Sequence, residues 1–333
     1  MPRPRATLRD VAREAGVSTA TASRALSGSP LISADTADRV KAAAEGLRYR
    51  SDHIGRALRS RATLSLGLVV PNITNPFFPA LVQAVEIEAK RAGWSMLLAD
   101  SLDSVDIERE NLDLLIGRRV DAIVASPLHR TRSRPALAAA AEILPVVQFD
   151  RHASDALPYV GVDQRAAMTA VLEHVVAAGR RRVAYVGANT GESTAAERLS
   201  AFRRWAVERG QERGHWLADS TLEGGDDAAR RVLARRPDVD AIVCCNDAIA
   251  VGVLAHLGER GIDVPGQVAV TGFDDSVMSL VCRPALTTVA QPLDAVAREA
   301  VAWAQNGPEA PTGRTLFEAR LVIRRSTAAP NPA

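Results

Sequence analysis

Only three cysteines occur in 333 residues, Cys244, Cys245 and Cys282. That number is too small, and odd, for a disulfide framework, so a reduced, cytoplasmic setting is expected. No apolar run approaches the ~20 residues a membrane span needs, and no membrane association is expected. The opening MPRPRATLRD has basic residues but no apolar stretch behind them, so it does not read as a secretory signal. There is no Walker-type phosphate loop, no G-x-S-x-G turn and no zinc-spaced Cys/His set. The histidines His53, His129, His152, His174, His215 and His256 are scattered, with no i,i+4 pair, and read as surface residues rather than metal ligands. Cys244 and Cys245 fall in an apolar run and read as packing thiols. Asp274-Asp275 could suggest a catalytic carboxylate pair, but consecutive residues of a strand point to opposite sides. No enzyme, cofactor or metal is therefore expected.

What is present begins with charge. Residues 1–62 carry 12 Lys+Arg against 6 Asp+Glu, whereas the remainder carries 29 against 33. A small cationic head on a mildly anionic body is suited to meeting a polyanion, although a solvated basic tail would look the same by charge alone. The body has the means to build a large core, since 47% of the chain is apolar and 24% charged.

The pattern inside the head is more specific. Thr7 can cap a helix, with Asp10 three positions on, and Leu8, Val11, Ala12 and Ala15 then share one face. Gly16 interrupts the run. Ser18 caps a second short helix that Ser27-Gly28-Ser29-Pro30 stops, and Ser33 opens a third carrying Val40, Ala43, Ala44 and Leu47 inward. Two short helices about a tight glycine-containing turn, followed by a third, match the helix-turn-helix plan. An ordinary three-helix bundle would show the same spacing. On the polar face of the second helix, Arg24 could reach guanine O6 and N7, while Ser18, Thr21 and Ser23 suit phosphate contacts.

Beyond residue 63 the chain alternates strand and helix. Apolar runs at 64–70, 94–98, 121–126 and 145–149 read as buried parallel strands separated by helices near 78–92, 105–117 and 134–142. The alternation restarts with strands at 182–187, 240–245 and 268–273, and helices at 164–178, 194–209, 226–235 and 247–260. Two rounds of this kind predict two doubly wound α/β lobes. Polar residues cluster at the strand ends: Asn72, Asn75, Asp150, Arg151, Asn246, Asp247, Asp274, Asp275 and Gln291, with Arg198 after a strand-end loop. Each has a plain alternative as a helix cap, and Phe77 and Phe78 could be core. Together they suit a sugar, with amides, carboxylates and guanidinium for hydroxyls and aromatic rings for the C–H faces.

The stretch TLRDVAREAGVSTATASRALSG resembles the DNA-binding head of the lac repressor family, and the likeness runs on through VKAAAEGLRYRSDHIGRALRS into the sensor body. The resemblance implies an α + α/β architecture in three parts. A helix-turn-helix domain spans 1–50, a hinge helix 51–62, and an effector-binding and dimerisation domain of periplasmic-binding-protein type spans 63–333. The lobes would comprise 63–161 with 292–319, and 162–291 with 320–328, the chain crossing near 160–163, 289–292 and 318–322. The implied DNA contacts are Thr7, Ser18, Thr19, Ala20, Thr21, Ser23, Arg24, Leu58 and Arg59, with Thr19, Ala20 and Arg24 reading bases and Leu58 wedging into the central step of the minor groove. The family commonly opens its hinge with Pro-Asn, where this chain has Ser51-Asp52; Asp52 can still cap. So short a helix, containing Gly55, is expected to form only on DNA.

Within PNITNPFF, QFDR, STAAERLSAF, VCCNDAIAVG, TGFDD and TVAQP, the body resembles ribose-type binding proteins. Carried over, Asn75, Phe77, Phe78, Asp150, Arg151, Arg198, Asn246, Asp274 and Gln291 would contact a monosaccharide, with Leu222 standing where a third aromatic is usual. The resemblance thus implies a transcriptional regulator, expected to repress carbohydrate uptake or catabolism genes. Its partners would be a near-palindromic operator with a central CG step, a ribose-like effector and a second copy of itself. The tail LVIRRSTAAPNPA has no heptads, which favours a dimer over a tetramer. A nucleobase- or phosphometabolite-responsive co-repressor type of the same family, and a solute-binding protein, are the competing readings.

Overall fold

A computed structural model describes residues 6–26, 29–49, 62–188, 190–211, 214–309, 311 and 313–327. The chain divides into two compact units, Met1–Thr63 and Leu64–Ala333. The hinge expectation, including Ser51, Asp52, Leu58 and Arg59, falls outside the described residues.

In the first unit, α1 (Leu8–Glu14), α2 (Thr19–Leu26) and α3 (Ala34–Gly46) pack around Val11, Ala12, Ala22, Ala25, Val40 and Ala44. The Thr7–Asp10 pair forms a full capping box on α1, satisfying two orphan amides reciprocally. Gly16 sits at φ +65°, where any other residue is strained, and turns the chain from α1 into α2. The small alanines at the centre let three short helices approach closely, so a modest core suffices.

The second unit holds two parallel sheets. The first has the order β11-β5-β4-β3-β1-β2, from β1 (Ser65–Val70), β2 (Ser95–Asp100), β3 (Ala122–Ala125), β4 (Val146–Phe149), β5 (Tyr159–Val162) and β11 (Arg314–Phe317). Every residue of β1 is buried, as a central parallel strand covered on both faces must be. Its faces are covered by α4 (Phe77–Arg91) with α12 (Leu293–Asn306), and by α5 (Val105–Gly117) with α6 (Arg134–Ala141). The second sheet has the order β7-β6-β8-β9, from β6 (Val183–Gly187), β7 (His215–Leu217), β8 (Ala241–Cys244) and β9 (Ala269–Thr271). Around it lie α7 (Gln164–Ala177), α8 (Ser193–Glu208), α9 (Leu222–Arg235) and α10 (Asp247–Glu259), with Tyr185, Phe202 and Phe273 fully buried. A short α11 (Val277–Val281) precedes β10 (Thr288–Ala290), which pairs antiparallel with β12 (Arg320–Val322).

The chain leaves the first sheet after β5, returns to it through α12, and leaves it again after β11. In both sheets the strand order reverses, between β1 and β3 and between β6 and β8, which opens a crevice at the carboxyl ends of those strands. Gly225 and Gly252 bring α9 and α10 together: a Cβ on Gly252 would lie 2.0 Å from the carbonyl oxygen of Leu222, and one on Gly225 2.2 Å from that of Ile249. That contact fixes the start of α9, and hence Leu222, at the crevice rim.

Three expectations need correction. His256 is not a surface residue; it is buried between α9 and α10, with its Nδ1 2.8 Å from Asp226 Oδ1. Asp274 and Asp275 do diverge, but not as strand neighbours. They follow β9 in a loop with φ +112° and +51°, and Asp275 turns away to Arg324. Helix α9 starts at Leu222, four residues before the expected 226, because Thr221 caps the helix through Gly224 N at 3.0 Å.

Candidate functional site

On the first unit, α2 buries Ala22 and Ala25 and exposes Thr19, Ala20 and Arg24 on the opposite face. Thr21 and Ser23 are half-buried beside them. Thr7 and Ser18 are committed to local structure: Thr7 Oγ1 donates to Asp10 Oδ2 at 2.7 Å, and Ser18 Oγ accepts from Thr21 N at 3.1 Å. Their hydroxyl oxygens keep further acceptor capacity, but their first role is to fix the ends of α1 and α2.

In the second unit, Asn75, Phe77, Phe78, Asp150, Arg151, Arg198, Asn246 and Asp274 surround one small inner cavity of about 20 Å³. That is room for little more than one water. Gln291 joins the group through Asp274, donating from Nε2 to Oδ1 at 2.9 Å. Leu222 is not among them; it lines a wider outer cavity of about 680 Å³, together with Asn72, Leu128, Ser220 and Ala248. Asn75, Phe78, Arg151 and Glu192 line both.

Each inner residue has an identifiable anchor. Asn75 and Asn246 fulfil the capping alternative with their oxygens, accepting from Phe77 N at 3.1 Å and Ile249 N at 2.9 Å. Their amide NH₂ groups remain available as donors. Asp150 sits at φ +57° and accepts from Ser126 Oγ at 3.0 Å. Arg198 is held on every side. Its Nε donates to Gln164 Oε1 at 2.8 Å, Nη1 donates to the Cys245 carbonyl, and Nη2 lies 3.8 Å from Asp274. Its guanidinium lies 3.5 Å from the centre of the Phe273 ring. Arg151 pairs with Glu192 across the crevice at 2.9 Å and stacks over Phe78 at 5.4 Å.

Burial raises the carboxyls of Asp150 and Asp274, and the guanidinium groups of Arg151 and Arg198 draw them back down. Burial likewise raises Glu192, with Arg151 opposing it. Asp247 is pushed up to about 6 by burial, although Thr288 Oγ1 and Ser276 N both donate to it. It is therefore a buried structural acid behind the site, not one that lines it.

The strand-end reasoning missed Glu192, Gln164, Ser126 and Phe273. Glu192 had a signal, as the acid in the loop GANTGESTAAE after β6, where a strand end meets a helix start. The other three contact the site only through a partner side chain, which spacing does not reveal.

Residues 7–52 match the family model described as bacterial regulatory proteins, lacI family, and residues 172–327 match the periplasmic binding protein-like domain. The HTH-type transcriptional regulator GalR of Escherichia coli K12 is 33% identical, over 98% of this chain and 97% of its own. The ribose operon repressor of Halalkalibacterium halodurans is 28% identical over 96% of this chain and 97% of its own. Among solved structures, the lac repressor dimer bound to operator and the anti-inducer ONPF superposes with a TM-score of 0.88 at 23% identity, covering 98% of this chain and 100% of that one. Among the described residues, no helix is long and apolar enough to cross a membrane.

Proposed function

The chain belongs to the lacI family of bacterial regulatory proteins, a DNA-binding transcriptional regulator rather than an enzyme, and we propose that it represses carbohydrate genes under the control of a neutral monosaccharide bound between its two lobes. The observation that carries this reading is the convergence of Asn75, Phe78, Asp150, Arg151, Arg198, Asn246 and Asp274 on one crevice, whose small inner cavity shares Asn75, Phe78, Arg151 and Glu192 with an outer one of about 680 Å³ that has room for a sugar ring. Amide donors, carboxylate acceptors and an aromatic face are the groups a pyranose or furanose ring needs. The relative named as a ribose operon repressor supports the class, and a ribose-like or hexose ring is the proposed size.

Charge supports a neutral effector over a phosphorylated one. The crevice residues Asp103, Asp106, Asp150, Glu192, Asp219, Glu223 and Asp274 outnumber Arg132, Arg151 and Arg198. A phosphate would enter against that excess.

On DNA, Thr19, Ala20 and Arg24 are the proposed base-reading residues, with Ala20 against a thymine methyl and Arg24 bidentate to guanine. Thr7, Ser18, Thr21 and Ser23 set register on phosphates. Leu58 and Arg59 of the linker are assigned to the minor groove. Two heads reading a near-palindrome imply a homodimer, working in the cytoplasm. The proposed division keeps 1–50 as the head, 51–62 as the hinge and 63–333 as sensor.

Selection of bound duplexes from a random pool, with and without sugars, tests the reading. A two-fold-symmetric site with a central CG step is expected, and its occupancy should change with one sugar of the panel. Binding that ignores every sugar but responds to a purine base would overturn the effector assignment. Operator binding unchanged in both Arg24→Ala and Leu58→Ala would overturn the contacts.

A further inference from the structure

The two guanidinium groups that line the inner cavity are not equivalent. Arg198 has its three nitrogens turned to Gln164, Cys245 and Asp274, and its face to Phe273. Arg151 is only 8% exposed, yet its Nη1 is buried with no hydrogen-bond partner among the described residues. Its Nη2 is held by Glu192 Oε2 at 2.9 Å, while its Nε is 3.8 Å from Asp150. Arg151 lines both cavities, so it is the cation that a ligand passing from the outer cavity to the inner one meets.

An unpaired donor buried this deeply costs free energy until an acceptor reaches it. A ring hydroxyl can accept from Nη1 without disturbing Nη2. A carboxylate would instead seek both nitrogens, because the guanidinium fork matches its two oxygens. Glu192 already occupies half of that fork and adds a like charge beside any incoming anion. It comes from the opposite lobe, at the start of α8, where the neighbouring Ser193 Oγ accepts from His152 N at 3.0 Å and Glu197 Oε1 lies 3.0 Å from His152 Nε2. The carboxylate is thus held on the fork by a second set of cross-lobe contacts rather than by its own ion pair alone.

We propose that Glu192 is a specificity-determining residue of the crevice: by holding one edge of Arg151 it admits a neutral sugar and rejects the corresponding sugar acid. The inference rests on the saccharide reading of the same crevice.

Calorimetric titration of the full chain with ribose, galactose, ribonate and galacturonate provides the test. In Glu192→Gln, with Glu192→Ser as a second variant of different shape, affinity for at least one acid should rise about tenfold or more over wild type. Adding Arg151→Gln to either variant should abolish the gain. Acid affinities within about threefold of wild type in both variants would overturn the proposal, as would a gain that survives loss of the guanidinium. The neutral sugars report separately: a wild-type chain that binds neither ribose nor galactose counts against the monosaccharide reading, whatever the acids do.

Discussion

Replacing Arg198 with methionine keeps much of the side-chain volume and removes the charge. The structure predicts a large and pH-dependent penalty. Arg198 is 6% exposed, donates to Gln164 and to the Cys245 carbonyl, and compensates Asp274. Removing one member of a buried pair typically costs about 3–5 kcal/mol, because the remaining charge stays desolvated. Asp274 has one escape, which is to take up a proton. Its folded-state pKa is already raised by burial and would rise further without the guanidinium. A carboxyl with a raised folded pKa holds a proton that the unfolded chain has released, so stability falls as pH rises through that window. The difference between wild type and Arg198→Met should therefore be small near pH 4 and widest at neutral pH. Urea unfolding at several pH values measures it, and Asp274→Asn added to Arg198→Met should recover a substantial part. A pH-independent loss below about 1 kcal/mol would refute the claim that Arg198 offsets Asp274. Because the head is a separate compact unit, operator binding should persist where the variant is folded, while its response to sugar is lost.

Three further outcomes follow from particular contacts. Asp247, pushed from 3.8 to about 6, should lower stability as pH rises from about 4 to 6, by at most about 3 kcal/mol; Asp247→Asn should remove that slope in denaturant melts at matched pH. Gly252→Ala places a methyl against the Leu222 carbonyl, and despite alanine's better helix propensity it should lose about 1–3 kcal/mol, read as a drop in thermal midpoint of several degrees. Arg24→Ala should cost about 1–3 kcal/mol at the operator and relax preference at one base position, measured by competition binding at fixed salt; a uniform loss across all sequences would assign it to phosphate instead.

Much of this was legible in the sequence, for reasons that particular elements show. Long periodic segments spoke for themselves: α5 runs over the expected 105–117, and β1 lies within the expected apolar run. The strands β5, β7, β10, β11 and β12 did not: β3, β4, β8 and β9 are as short but are buried throughout and stand out as apolar runs, whereas β7, β11 and β12 are half-buried and show neither an apolar run nor a measurable period. The strand-end rule located the crevice residues, since ligand-facing groups in open α/β folds gather there. It could not rank them. That Arg198 is held on every side and Arg151 is not depends on Gln164 and Phe273, far from Arg198 in sequence but in its own lobe, and on Glu192, which meets Arg151 only once both lobes are assembled. His256 misled for a related reason: its partner Asp226 lies 30 residues away on another helix.

The repeated passage of the chain between the two sheets bears on how the protein is made. The first lobe begins at Ser65 but lacks its α12 layer and its edge strand until Phe317 has been synthesised; the second waits for Val322 to complete the β10–β12 pair. At bacterial elongation rates of ~5–20 residues per second, the earliest strands spend tens of seconds outside the ribosome before their last neighbour arrives. Both lobes then reach completion almost together. A nascent chain stalled before Arg314 would present unfinished sheet edges on both halves, a natural target for chaperones.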